Sequence, residues 1–257
     1  MTTAVALALG AIIGILLGLL GGGGSILAVP ALVYGIGLDI EQAIPISLIV
    51  VGSSAAVGAL PKIRARLVEW RLAVIFAAAG LPATFAGSAI GRLLPQSVLL
   101  IGFASVMVLA AVRMLRDTES IGMACKRTDS GIDWRRCVSR SIPAGFGVGL
   151  LTGLFGVGGG FLIVPALVLM LGVHMPVAVG TSLAIIVANT ASGLVAHLGA
   201  GDIDWALTGV FAGAAIIGSL IAGHLGTRMD TGRLQRWFAF LVFGVAAYVV
   251  VDTIFLR

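Results

Sequence analysis

Two glycine clusters, Gly21-Gly22-Gly23-Gly24-Ser25 and Gly156-Val157-Gly158-Gly159-Gly160, hold the residues best suited to chemistry, and they lie 135 residues apart. Each sits inside an apolar run, where glycine costs about 1 kcal/mol against alanine in a helix interior, so each predicts a broken helix. Broken backbone at membrane depth survives only where protein or a water-filled cavity satisfies its polar groups. A break also opens a new helix amino terminus, whose free N–H groups and partial positive charge suit an anion. Pro30 and Pro165 follow the clusters and prevent an unbroken hydrogen-bond ladder. Hydroxyl and amide side chains gather in the next apolar segment of each half: Ser47, Ser53 and Ser54, then Thr181, Ser182, Asn189 and Thr190. Each can bond its own helix backbone. Ser47 and Ser182 occupy equivalent positions, which favours a shared role as neutral donors replacing part of an anion's hydration shell. The expected substrate-binding set is Gly21, Gly22, Gly23, Gly24, Ser25, Ser47, Gly156, Gly158, Gly159, Gly160, Thr181, Ser182 and Asn189, with Pro30 and Pro165 as helix breaks.

Other chemistries lack their residues. Asp39, Glu41, Asp202, Asp204 and Asp252 all sit at or near the ends of apolar segments, which disfavours a buried acidic proton relay or a carboxylate cation cage. No metal-ligand cluster and no nucleophile, base and orienter set is present, so neither an enzyme nor a cofactor or metal site is expected. No Gly-Lys-Ser or Gly-Lys-Thr follows the glycines, which excludes a phosphate-binding loop. Cys125 and Cys137 fit no common zinc spacing, and in a cytoplasmic loop both are expected as reduced thiols. His197 aligns with Lys62 and reads as an interfacial residue, while His174 and His224 have no evident partner in the sequence.

The elements that must position these residues follow from composition. Of 257 residues, 59% are hydrophobic and 11% are charged, against about a quarter charged in a globular protein. Apolar runs between charges span 4–37, 43–61, 72–91, 97–112, 141–173, 177–198, 205–227 and 237–251. A membrane helix needs roughly 20 residues, so the first and fifth runs are too long for one simple crossing. Alternation of apolar and polar residues, the mark of a transmembrane barrel, is missing. The fold class is all-α, a polytopic helical membrane protein. Met1-Thr2-Thr3 has no positive charge, so the first segment reads as part of the bundle rather than a cleaved signal.

Shifting the chain by 135 residues aligns GLLGGGGSILAVPALV with GLFGVGGGFLIVPALV, and the register holds without a gap. Gly10, Gly14 and Gly18 meet Gly145, Gly149 and Gly153; Gly37 meets Gly172; Trp70 meets Trp205. The glycine triplets at four-residue spacing read as helix-packing stripes, and the two tryptophans as interfacial anchors. The chain thus divides into a first repeat (1–115), a basic cytoplasmic loop (116–140) and a second repeat (141–257). Each repeat has one glycine-broken segment and three transmembrane helices. If the broken segments return to the side they started from, the repeats are inverted. Lys62, Arg64, Arg66 and Arg71, the seven basic residues from Arg113 to Arg140, and Arg228, Arg233 and Arg236 then share one side, 14 of the 16 in the chain. That side is cytoplasmic by the positive-inside rule, and both termini lie outside. If the segments cross once, the repeats are parallel and the asymmetry is weaker. The basic loop reads as a topology determinant that touches anionic lipid, not nucleic acid.

With the doubled glycine segments, the later VGTSL at 179–183 and the charged loop between halves, the whole chain resembles the TauE/SafE sulfite exporter family, also described as the toluene-sulfonate uptake permease family. The resemblance implies a carrier in the bacterial inner membrane for sulfite, sulfoacetate or related organosulfonates. The first half reads Ile44-Pro45-Ile46-Ser47-Leu48 where the second has VGTSL, so the halves are not chemically equal there. The expected mechanism is secondary transport of a small anion by alternating access, at a midplane site between two glycine-capped helix ends. A passive anion channel and a non-transporting membrane scaffold are the alternatives, and homo-oligomerisation stays open.

Overall fold

The computed structural model describes residues 2–38, 40–91, 93, 134–155, 160–196 and 204–226, with scattered positions between 102 and 115 and between 232 and 247. Every regular element among the described residues is helical. Helices α3 (Ile40–Arg64), α4 (Trp70–Gly91), α7 (Met175–Ala196) and α8 (Trp205–Gly226) each contain a stretch long and apolar enough to cross a membrane. The tryptophans aligned between the halves are the first residues of α4 and α8, and both are exposed. The predicted segments 97–112 and 237–251 lie largely outside the described residues.

Both long segments carry a long helix, a short helix ending in proline and a π-helical segment, in that order. Helix α1 (Thr2–Leu20) stops at Gly21, whose φ of +72° is open to glycine and strained for other residues. The chain turns through Gly24 into α2 (Ser25–Pro30). Pro30 removes a donor, and the helix widens into a π-helical segment, Ala31–Ile36. Gly37, at φ +85°, ends it in the left-handed conformation common at helix carboxyl ends. There the Gly37 N–H donates to Val33 O at 3.1 Å and Leu38 N–H to Leu32 O at 3.2 Å. In the second half, α5 (Trp134–Phe155) precedes α6 (Gly160–Pro165) and a π-helical segment, Ala166–Met170. Gly172 N–H donates to Val168 O at 3.1 Å and Val173 N–H to Leu167 O at 3.0 Å, the same pair of bonds shifted by 135 residues. Helix α5 begins at Trp134, inside the interval read from sequence as loop, so Arg135, Arg136 and Arg140 are helical.

The first broken segment folds back along itself. A β-carbon on Gly24 would lie 3.0 Å from the Leu17 amide, and one on Gly35 would meet the Leu9 side chain at 2.5 Å. Residues 24–35 therefore descend beside α1, which distinguishes a hairpin from a single crossing. Helix α5 likewise packs against both α6 and the π-helical segment after it.

Two compact units emerge: Met1–Val74 with Pro176–Met229, and Ile75–Met175 with Asp230–Arg257. In the first, the Gly10, Gly14 and Gly18 stripe of α1 lies against Phe211, Ala215 and Ser219 of α8, both helices running the same way. A β-carbon at Gly10 would approach Phe211 O to 2.7 Å, and one at Gly14 the Ala215 Cα to 2.7 Å. In the second unit, Gly145 faces Phe76 and Gly149 faces Gly80, again the first set offset by 135 residues. The opposite face of α8, with Ile217, Ile221 and Leu225, is exposed, as lipid contact requires. Also in the first unit, α3 and α7 run antiparallel. Gly52 faces the Thr190 hydroxyl, and ten residues on, Lys62 faces Gly180.

Cys137 departs from its expected state: it is disulfide-bonded, and Cys125, the other cysteine of the chain, lies outside the described residues. Cys137 is buried, and the Ser141 hydroxyl one helical turn on lies 3.9 Å from its Sγ. The expectation of a free thiol rested on the compartment of the loop alone, which says nothing about a partner brought close by folding.

Candidate functional site

In the first unit the glycine turn meets α7. Gly21, Gly22, Gly23 and Gly24 are all buried. Gly21 N–H closes α1 on Leu17 O at 2.8 Å, and Ser25 N–H bonds Gly22 O at 3.2 Å. The Ser25 hydroxyl also donates to Gly22 O, at 2.7 Å. The amides of Gly22, Gly23 and Gly24 have no acceptor among the described residues. Buried amides in native proteins are nearly always paired, so three successive unused donors form a surface suited to an acceptor from outside the chain. Successive backbone N–H groups beside a left-handed residue are a known way to hold an anion.

Helix α7 seals this turn through residues of the predicted set. The Ser182 hydroxyl donates to Gly21 O and to Val179 O, each at 2.9 Å. A β-carbon on Gly21 would sit 2.8 Å from Val179 O and 2.6 Å from Ser182 Oγ, so glycine is required there by space as well as by φ. Thr181 is fully buried, and its Oγ1 accepts the Glu69 N–H at 3.1 Å, tying α7 to the entry of α4.

The remaining predicted residues are placed less specifically. Ser47 is buried and donates to Ile44 O at 2.7 Å, within its own helix. Ser53 and Ser54 donate to Val50 O, and Thr190 to Ile186 O, in the same backbone-bonded manner. Asn189 keeps a buried Oδ1 with no hydrogen-bond partner among the described residues. Gly160 is buried at the start of α6. Gly156, Gly158 and Gly159 lie outside the described residues, as does His197. Pro30 and Pro165 each end the short helix that follows a cluster.

Sequence reasoning missed three residues. Lys62 was counted with the loop cations, but it lies within α3 and is fully buried, because the helix runs on to Arg64 past Pro61. Gly180 is where α7 lets the end of α3 approach: a β-carbon there would meet the Leu67 carbonyl. Ser219 of α8 donates to Ser54 O at 2.8 Å and binds α8 to α3. The alignment of Lys62 with His197 was the available signal, since it marks a base at one position of both halves. Asp204 is better understood: its Oδ1 accepts the Ala206 and Leu207 amides at 3.0 and 3.1 Å, capping α8.

The family model described as "Sulfite exporter TauE/SafE" matches residues 6–249. A protein of Xylella fastidiosa (strain 9a5c) named "Probable membrane transporter protein" is 36% identical over 251 residues, covering 94% of this chain and 92% of its own length. "Probable membrane transporter protein YunE" of Bacillus subtilis (strain 168) is 29% identical over 247 residues, covering 90% of this chain and 89% of the relative. A shorter match, 30% identical over 114 residues, joins the chain to "Probable membrane transporter protein MJ0441" of Methanocaldococcus jannaschii.

Proposed function

Because the chain belongs to the TauE/SafE sulfite exporter family of membrane transporters, we propose that it carries small anions across the bacterial inner membrane. Sulfite, sulfoacetate and related organosulfonates are the intended class. The carrying observation is the row of buried amides at Gly22, Gly23 and Gly24, unused among the described residues and closed by Ser182. Such donors hold an anion without a full ion pair, so release stays feasible. The offset of 135 residues assigns the same role to the Gly156–Gly160 cluster, with Ser47 as the counterpart of Ser182.

Inverted repeats are supported by direction. Helices α3 and α7 are equivalent under the offset, yet they run antiparallel, as Gly52 opposite Thr190 and Lys62 opposite Gly180 require. Copies related by an axis in the membrane plane have that property, and in such transporters access alternates around a central site. Export of a monoanion from a negative interior is downhill by about 2.3 kcal/mol per 100 mV, so it needs no coupling ion, whereas uptake would.

Counterflow of labelled sulfite and sulfoacetate into proteoliposomes tests the reading. Saturable, trans-stimulated exchange is the expected result. Conductance that never saturates would identify a channel instead, and no flux of either anion would reject transport of this class.

A further inference from the structure

Lys62 stands apart from the other cations at its end of α3. Arg64 and Arg66 are exposed, whereas Lys62 is 0% exposed and its Nζ has no hydrogen-bond partner among the described residues. The turn around it is tightly specified. Arg66 adopts φ +54°, so that Arg66 N–H reaches Ile63 O at 3.0 Å and Leu67 N–H reaches Lys62 O at 2.9 Å. These are the two bonds of a Schellman cap, made here without glycine in the left-handed position. Gly180 of α7 lies against this cap, and a β-carbon there would be 3.2 Å from Lys62 Cβ. At the next position, the buried Thr181 hydroxyl accepts the Glu69 amide and donates to no group among the described residues. Val179 and Ser182, on either side, are the residues that touch Gly21.

An ammonium carries three donors and no acceptor. Burying one without a counter-charge is strongly unfavourable, and its removal from water is offset only by a negative partner with good geometry. No exposed carboxylate is needed to supply that partner if the cargo itself does. We propose that Lys62 and the Thr181 hydroxyl complete an anion site adjoining the Gly21 turn, and that the site takes a singly charged oxyanion head group such as a sulfonate. One fixed positive charge then neutralises the loaded site, and several donors in different directions match several acceptor oxygens on one centre. The proposal rests on the anion-carrier reading above. His197, aligned with Lys62, puts a second base at the equivalent sequence position of the other half.

Titration calorimetry of the purified full chain with methanesulfonate and with sulfoacetate tests it, alongside Lys62→Gln, Lys62→Met and Thr181→Val. The expected result is affinity weakened about tenfold or more in both Lys62 variants, since a hydrogen bond to a charged group is lost, and weakened by a smaller factor in Thr181→Val. The Lys62 variants should also unfold at a higher temperature than the wild type without anion, because an uncompensated charge is gone. Affinity of Lys62→Gln within about twofold of wild type overturns the role of Lys62 while leaving the anion-carrier reading standing. Should neither Lys62 variant fold, unchanged affinity in Thr181→Val overturns the site. No binding of either anion by the wild type removes both this proposal and the reading beneath it.

Discussion

A single β-carbon on the α1 stripe measures how closely α1 and α8 approach. Gly14 lies on the contact, where an added Cβ would be 2.7 Å from the Ala215 Cα and closer still to its carbonyl. Gly213, two residues before Ala215 and on another face of α8, faces open space. Replacing a helical glycine by alanine gains about 1 kcal/mol of helix propensity at either position. Only at Gly14 is that gain opposed by overpacking, about 1–3 kcal/mol when backbone has to shift. Gly213→Ala should therefore stabilise by about 1 kcal/mol, and Gly14→Ala should be neutral or destabilising by up to about 2 kcal/mol. With about 2–4 °C per kcal/mol for a chain of this size, the two midpoints should separate by several degrees. The assay is thermal unfolding in detergent followed by tryptophan fluorescence. Gly149→Ala against Gly147→Ala repeats the comparison in the second unit, where Gly149 faces Gly80 and Gly147 faces open space. If Gly14→Ala raises the midpoint as much as Gly213→Ala, the close backbone contact between α1 and α8 is wrong.

Three further outcomes are expected. Gly21→Ala combines a left-handed φ, costing about 1–2 kcal/mol, with a clash against Val179 O, so it should lower both the unfolding midpoint and the counterflow rate; an unchanged midpoint contradicts the turn geometry. Ser182→Ala leaves the buried Gly21 carbonyl without its donor and should cost about 1–3 kcal/mol and slow counterflow; an unchanged unfolding midpoint would refute the bridging role of Ser182. A carboxyl-terminal reporter should signal from outside the cytoplasm, and a cytoplasmic signal rejects the inverted arrangement.

Much of the fold was legible because its causes are local or periodic. Apolar runs of membrane length, the glycine clusters, the prolines after them and the tryptophans that open α4 and α8 act through their own stretch of chain. The repeat made them easier to read, since the second copy of each feature recurs at the same offset. The hydroxyls were legible only in kind. Ser47 and Ser182 look alike in sequence; Ser182 reaches Gly21, 161 residues away, as well as its own helix, whereas among the described residues Ser47 bonds its own helix, and Gly156, the residue aligned with Gly21, lies outside them.

The sequence by itself determined a helical membrane protein, the two breaks in its long segments and the family it resembles, because hydrophobic length and glycine backbone freedom are properties of the chain alone. Tertiary structure decided that the first broken segment returns along α1, and that α3 and α7 lie antiparallel. It also decided which donors are left unused. Lys62 reads as a loop cation by composition, and the approach of Gly180 and the turn through Leu67 bury it without a hydrogen-bond partner among the described residues. Burial and pairing depend on what the rest of the chain brings near, and no local pattern encodes that.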